Sequence, residues 1–221
     1  FEKGNFDEMR EHIKESLLVV FYLSLPLSYF LFGIAGPIYY VMYGDANLAL
    51  GTSVLQLNSL TGVTFNLASV SNMLMMALRL RKKNLTIISI SVLLATVTFV
   101  PLLAWIGYSG SIWSKIATQS LMFGLNVWML RRQFKVQLSL IIKPVFIMLI
   151  GLLGMQISFW ALDMLGIHVI DQGRLMATLQ LSIYGFVGLV IYLGITSFYQ
   201  LPQTILHLDI QKLLKRFKHA S

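Results

Sequence analysis

Residues 79–106 read RLRKKNLTIISISVLLATVTFVPLLAWI, and this stretch decides the fold class. Four cations stand within its first five positions, and an apolar run of 22 residues follows them. As a helix, such a run is about 33 Å long at 1.5 Å per residue, enough to cross roughly 30 Å of bilayer hydrocarbon. Residues 107–114, which come next, contain no cation. A membrane-length run with basic residues at only one end is typical of a transmembrane helix.

The same arrangement repeats along the chain. Of the 17 Lys and Arg residues, all but Lys115 and Arg174 fall into four clusters, which long apolar stretches separate. The clusters contain Lys3, Arg10 and Lys14; Arg79, Arg81, Lys82 and Lys83; Arg131, Arg132, Lys135 and Lys143; and Lys212, Lys215, Arg216 and Lys218. Every second gap between apolar stretches is nearly free of positive charge, which indicates a chain that crosses a membrane several times.

The composition also indicates a membrane protein. Of the 221 residues, 57% are hydrophobic and 12% are charged, whereas soluble domains carry about 25% charged residues. The net charge of +8 lies at the ends of membrane-length runs, so topology and anionic lipid headgroups account for it and nucleic acid is not expected as a partner. The chain has no cysteine, which excludes disulfides, a thiol nucleophile and thiolate metal sites.

We predict an all-α fold, a polytopic integral membrane helix bundle of six transmembrane helices with both termini in the cytoplasm. An even number of spans is required because both ends of the chain carry basic clusters. A surface-lying amphipathic helix is expected at residues 5–16 and a basic amphipathic tail at residues 203–218. Pro26 and Pro37 are expected to kink the first span. The spans are predicted at residues 17–43, 48–78, 85–106, 112–130, 141–165 and 175–199.

The first residue is Phe1, and no signal peptide precedes the first span. We therefore expect that the chain is a piece of a longer protein and that upstream sequence completes it.

The second span is the most polar. At about 100° per residue, its polar and small side chains share an arc of roughly 140°. Because a buried amide without a partner is costly in hydrocarbon, these residues need partners or water. Two interpretations stay open: they hold neighbouring helices together, or they line a hydrated cavity. The cavity candidates on this span are Asn58, Thr61, Asn66, Ser69 and Asn72.

The fourth span carries a similar face. Lys115, Gln119, Met122 and Asn126 share it at helical spacing. Lys115 either snorkels to the outer surface or attracts an anionic substrate, and Gln119 and Asn126 are further cavity candidates. The cluster of Arg79, Arg81, Lys82 and Lys83 likewise either sets the topology or contacts a phosphate or pyrophosphate headgroup, since clustered donors suit a dianion.

The search for catalytic groups finds none. His12, His168, His207 and His219 lie outside the spans or at their ends, without metal-ligand spacing, and no span contains a carboxylate pair. We therefore expect no enzymatic activity, no metal and no cofactor. Glycine pairs inside apolar helices predict close helix packing; they are Gly33/Gly36, Gly151/Gly154 and Gly185/Gly188.

Several segments, in order, resemble the multidrug/oligosaccharidyl-lipid/polysaccharide flippase superfamily. Residues 33–44 read GIAGPIYYVMYG after Pro26, which is similar to the end of a conserved helix in those proteins. A polar helix and a basic turn follow, and then residues 101–114, PLLAWIGYSGSIWS, resemble a second turn of the same proteins. The turn at 75–84 and Ser111 depart from the family pattern, so they do not identify the branch.

The resemblance implies a flippase of an undecaprenyl-linked oligosaccharide or cell-wall precursor in the cell membrane. Candidate branches are the lipid-linked peptidoglycan-precursor flippases and the stage V sporulation protein B-like polysaccharide transporters. Its partners would be membrane lipids, the lipid-linked sugar and the missing N-terminal half. The chain would then divide into residues 1–16, an interfacial helix; 17–130, four helices of the C-terminal lobe; 131–200, an additional helix pair; and 201–221, a cytoplasmic tail.

Two other functions stay open. A cation-coupled multidrug exporter of the same superfamily would need an ionisable coupling site within a span. A membrane-embedded transferase of polysaccharide synthesis would need a catalytic acid or histidine from the upstream region.

Overall fold

The computed structural model describes residues 6–137, 139–165 and 173–206. These residues form eight α-helices, so the predicted all-α class is confirmed for the described part of the chain. From the second predicted span onward, each boundary agrees with a helix end to within four residues. The helices are α1 (Phe6–Gly33), α2 (Ala35–Tyr43), α3 (Leu48–Ala77), α4 (Arg81–Ile106), α5 (Tyr108–Phe134), α6 (Ser139–Met164), α7 (Arg174–Phe198) and α8 (Leu201–Leu206).

Four of the described helices, α1, α4, α6 and α7, are long and apolar enough to cross a membrane. The chain is therefore a helical membrane protein by the length and composition of its helices. Helices α3 and α5 are equally long, with 30 and 27 residues, but carry more polar side chains. A total of six spans, with both termini in the cytoplasm, remains a prediction because it requires α3 and α5 to cross the membrane as well.

Helix α1 joins two elements that the sequence analysis treats separately. The expected surface helix at residues 5–16 is not separate from the first span, since α1 continues unbroken to Gly33. The reason is local: no Gly or Pro occurs between Phe6 and Leu25, and Ile13 and Leu17 are both buried. Its 28 residues extend about 42 Å, so its charged first turns can project beyond the hydrocarbon.

The first predicted span, residues 17–43, is divided into α1 and α2 at Ile34. Pro37 explains the division, because a proline has no N–H to donate to the carbonyl four residues earlier, that of Gly33. Pro26 lies inside α1 without ending it.

At the other end of the chain, α8 includes the first residues of the predicted tail, and residues 207–221 lie outside the described part.

The glycines and the apolar faces of the helices account for which helices pack against each other. Helix α1 packs against α3 and α6, α5 lies against both α3 and α4, and α6 pairs with α7. A Cβ atom at Gly151 would lie 2.9 Å from Tyr192 Cδ2, and one at Gly188 would lie 2.9 Å from Met155 Cε. Close packing is thus confirmed at Gly33, Gly151, Gly154, Gly185 and Gly188, whereas a Cβ atom at Gly36 would have only ordinary contacts, 3.7 Å from Thr52 Oγ1.

The basic segments of the described chain meet at one end of the bundle. Ile13, Leu80, Phe134, Ile141 and Ile205 belong to one buried cluster. They come from the start of α1, the α3–α4 turn, the end of α5, the start of α6 and α8. Three of the four predicted clusters have described members in these segments, and Lys212, Lys215, Arg216 and Lys218 of the fourth lie outside the described residues.

Candidate functional site

Polar residues of α3 and α5 meet along a seam between the two helices. Asn126 is fully buried, and its Nδ2 donates to Ser71 Oγ at 3.0 Å and to Asn72 Oδ1 at 2.7 Å. Two turns away, the Thr64 hydroxyl donates to Gln119 Oε1 at 2.6 Å. Residues seven apart lie on nearly the same helix face, so the two contacts repeat along one interface. Asn72, Gln119 and Asn126 therefore connect helices here.

A second polar contact joins α3 to α1. Asn66 Nδ2 donates to Ser24 Oγ at 3.1 Å. One turn earlier, a Cβ atom at Gly62 would lie 2.9 Å from Ser28 Oγ, so the two helices approach closely. The polar arc of α3 is thus shared between two neighbours, because an arc of roughly 140° is wide enough to contact both α1 and α5.

The remaining candidates on α3 take no part in these two contacts. Asn58 Nδ2 donates to the carbonyl of Val54 at 3.1 Å and reaches the Tyr108 hydroxyl at 3.5 Å. The Thr61 hydroxyl donates to the carbonyl of Asn58 at 2.6 Å. Ser69 is half-buried, as are Asn58 and Thr61. All five candidates on α3 are half-buried, but only Asn66 and Asn72 are occupied by the bonds to Ser24 and Asn126, so the other three are the part of the predicted stripe that can face water or a ligand.

Lys115 lies in an open cleft between α4 and α5 with a volume of about 420 Å³. The sequence groups Lys115 with the α3-facing residues, but its side chain is exposed in this cleft. The lining residues are Ala95, Thr96, Phe99 and Val100 from α4 and Ser114, Lys115, Thr118 and Gln119 from α5. A cation, hydroxyl groups and an amide occur here beside apolar side chains, which suits an amphiphilic anion.

The turn after α3 and the first residues of α4 contain the four cations of the predicted basic cluster. Arg79 adopts a left-handed backbone conformation with φ of +60°, and the Leu80 N–H bonds the Met75 carbonyl at 2.9 Å, which closes the end of α3. Arg79, Arg81, Lys82 and Lys83 are exposed. Lys83 Nζ donates to Gln133 Oε1 at 2.7 Å, so this turn adjoins the end of α5.

Comparison with known proteins finds one informative likeness. The chain is 24% identical to the lipid II flippase MurJ of Bacillus subtilis (strain 168) over 232 aligned positions. The alignment covers 100% of this chain and 41% of MurJ, so the chain spans about two-fifths of that relative's length. No protein-family profile and no solved structure matches the chain. At this identity the likeness supports a relationship at the level of the flippase superfamily.

Sequence reasoning missed a set of tyrosines that tie helices together. The hydroxyl groups of Tyr22 and Thr196 lie 3.1 Å apart, and Tyr192 donates to the Tyr22 carbonyl at 3.1 Å, so α1 and α7 are joined in the buried interior. Tyr184 of α7 also donates to Asp163 of α6. A tyrosine inside an apolar helix is the available signal, since its buried hydroxyl requires a partner.

Within residues 6–137, 139–165 and 173–206, no group of three or more His, Asp or Glu side chains is arranged to hold a metal ion. His12 is exposed near Glu15 on α1, with 3.6 Å between Nδ1 and Oε2. His168, His207 and His219 lie outside the described residues.

Proposed function

We propose that this chain is part of a flippase that moves an undecaprenyl-linked oligosaccharide or cell-wall precursor across the cytoplasmic membrane. The observation that carries the proposal is the likeness to MurJ, which extends over the whole chain. The helical membrane architecture supports it. In this proposal the six long helices are spans, residues 131–200 contain the additional helix pair, and upstream sequence supplies the other lobe and the rest of the cavity.

The polar residues of α3 fall into two sets with different roles in the proposed mechanism. The contacts of Asn66 with α1 and of Asn72 with α5 keep α1, α3 and α5 together as one unit. The accessible residues Asn58, Thr61 and Ser69 line the cavity wall. A lobe that moves as a rigid body can then present this wall to either side of the membrane, as alternating access requires.

The basic turn of Arg79, Arg81, Lys82 and Lys83 stays at the cytoplasmic surface in this mechanism. Its exposed cations attract anionic headgroups from the inner leaflet, each by about 1 kcal/mol near a charged membrane. No bond is made or broken in the transported molecule, so the chain requires no acid, base or nucleophile.

A translocation assay tests the function. The full-length protein is reconstituted in liposomes, and movement of a labelled lipid-linked sugar between leaflets is measured. We expect transport by the wild type and about a tenfold slower rate for Asn58→Leu combined with Thr61→Val, because both changes remove accessible polar groups. The matched control is Ser53→Ala, an exposed α3 residue whose hydroxyl bonds its own helix at the Ala49 carbonyl.

Each outcome of this assay has a separate meaning. Failure of the wild type to move any lipid-linked sugar contradicts the flippase proposal. Normal transport by the double variant contradicts the cavity role of Asn58 and Thr61 while leaving the flippase proposal in place. Formation of a new glycosidic product by the wild type would instead indicate a transferase.

A further inference from the structure

Lys115 is a cation without a protein counter-charge in the described part of the chain. Ion pairs on α1 join Arg10 to Asp7, His12 to Glu15 and Lys14 to Glu11, and no ion pair among residues 6–137, 139–165 and 173–206 includes Lys115. The sequence contains no Asp or Glu between Asp45 and Asp163, so α3, α4 and α5 supply no carboxylate to the cleft. A lysine at this position is costly in hydrocarbon unless an anion or the membrane surface satisfies it.

Aromatic residues define the depth of Lys115 in the membrane. Trp105, Tyr108 and Trp113 are exposed around the α4–α5 turn, at the end of the bundle opposite the basic turn. Exposed Trp and Tyr residues concentrate at the membrane–water interface. Lys115 is two residues beyond Trp113, about 3 Å further along the helix axis. With α5 as a span, as in the proposed function, this spacing puts the Lys115 ammonium group close to the outer membrane–water interface.

The neighbours of Lys115 provide donors on one side and an apolar wall on the other. Gln119 Oε1 accepts the Thr64 hydroxyl at 2.6 Å, which leaves the Gln119 amide N–H groups to donate. Phe99 and Val100 of α4 form the apolar wall. The cleft therefore combines a cation and amide donors, which suit an anion, with an apolar surface that suits hydrocarbon. Sugar hydroxyls would need acceptors such as carboxylates, and none of the described residues that line the cleft is a carboxylate.

We propose that the Lys115 cleft binds the phosphate or pyrophosphate end of the lipid-linked substrate in the outer half of the membrane. The ammonium group of Lys115 and the amide of Gln119 donate to the phosphate oxygens. The first isoprenoid units of the lipid lie along Phe99 and Val100. This assignment rests on the proposed flippase function and adds to it a subsite for the substrate after it has reached the outer side.

Binding of undecaprenyl pyrophosphate to the full-length protein, in nanodiscs of zwitterionic lipid, tests the subsite. We expect Lys115→Gln to weaken binding about tenfold, which corresponds to about 1.4 kcal/mol. Lys115→Arg keeps the charge and retains most of the affinity. Undecaprenol, which has no phosphate, should bind wild type and Lys115→Gln equally. The matched control is Lys143→Gln, another exposed lysine, which lies near the opposite end of the bundle.

A second variant distinguishes loss of the charge from damage to the fold. Thr96 is exposed on the α4 side of the cleft, so Thr96→Lys in the Lys115→Gln background returns a cation to it. Recovery of binding is expected. Wild-type affinity in Lys115→Gln overturns the subsite. Equal competition by phosphatidylglycerol also overturns it, because Lys115 would then be a general contact for anionic lipids.

The subsite and the flippase function can fail separately. Lys115-dependent binding without sugar translocation by the wild type contradicts the function and retains the subsite. Normal translocation together with wild-type binding by Lys115→Gln contradicts the subsite and retains the function.

Discussion

Asn126 is a buried polar residue of the bundle whose side chain is only partly hydrogen-bonded. It is fully buried, its Nδ2 makes two hydrogen bonds to α3, and its Oδ1 has no hydrogen-bond partner among the described residues. An unpaired carbonyl in an apolar interior is unfavourable. The two donated bonds offset part of that cost and fix the register of α3 against α5.

This geometry predicts energetic coupling between Asn72 and Asn126. A double-mutant cycle with Asn72→Ala and Asn126→Ala should give a coupling energy of about 0.5–1.5 kcal/mol, since such cycles between membrane helices average about 0.6 kcal/mol and reach about 1.7 kcal/mol. The measurement is the free energy of unfolding of the reconstituted protein for the wild type, both single variants and the double variant.

Ser53 provides the control for that cycle. Its exposed hydroxyl bonds its own helix at the Ala49 carbonyl, so Ser53→Ala and Asn126→Ala should have additive effects. Additive effects of the Asn72 and Asn126 changes would contradict the contact between α3 and α5.

At the scale of the elements, α4 and α5 form a hairpin whose tightness depends on glycine. Gly107 has a φ of +66°, a conformation that residues with a Cβ atom rarely adopt. A Cβ atom at Gly110 would overlap the Leu102 carbonyl group, which belongs to the backbone of α4 and has little freedom to move. The turn at Gly107 is therefore followed at once by a close contact between the two helices at Gly110.

Gly110→Ala and Gly124→Ala should change stability in opposite directions. We expect Gly110→Ala to destabilise the protein by about 1–3 kcal/mol through overlap with Leu102. A Cβ atom at Gly124 has no neighbour within 4 Å, so Gly124→Ala should stabilise the helix by about 0.5–1 kcal/mol. Thermal unfolding in detergent measures both changes. Equal effects of the two substitutions would contradict the close approach at Gly110.

The helices were predictable from sequence wherever an apolar run ends at a turn signal. Gly44 and Gly107 both have positive φ and mark the ends of α2 and α4. The continuity of α1 was not predicted because the charges of its first turns resemble those of a surface helix. The partners of Asn66 and Asn72 were not predictable either, since the angle around α3 does not identify which helix packs on each side.

The candidate site, like the helix contacts, was only partly predictable from the sequence. The lone cation Lys115 stood out in sequence, but the wall that Phe99 contributes comes from α4, which one helix face cannot indicate. The tyrosine contacts between α1 and α7 join residues 170 or more positions apart, at Tyr22 and Tyr192 or Thr196. Such pairs depend on the tertiary arrangement of the whole bundle.

At the scale of the whole molecule, the described basic segments lie at one end of the bundle. This arrangement is expected if α3, α4 and α5 all cross the membrane. Arg10 Nε donates to the Phe134 carbonyl at 2.7 Å, and Lys83 Nζ donates to Gln133 Oε1 at 2.7 Å. Three basic segments from distant parts of the sequence therefore converge. Their convergence favours crossing by the polar helices, because an uncrossed α3 or α5 would place some of these cations on the other side.

Cysteine labelling tests this topology, and residues 1–221 contribute no native cysteine to the background. Single cysteines are placed at Ala46, Lys82, Ser109 and Gln137, one in or beside each turn from the end of α2 to the start of α6. With a membrane-impermeant maleimide on intact cells, Ala46→Cys and Ser109→Cys should react. Lys82→Cys and Gln137→Cys should react only after the membrane is opened, because the basic end is expected in the cytoplasm.

The labelling pattern tests separately whether α3 and α5 cross the membrane. Opposite sides for residues 46 and 82 mean that α3 crosses the membrane, and opposite sides for 109 and 137 mean the same for α5. Labelling of residues 46 and 82 from one side would instead make α3 a polar helix that does not span, and the six-span arrangement would be wrong. Crossing would in turn place Asn126 within the hydrocarbon, where its two bonds to α3 offset part of the cost of burying its amide.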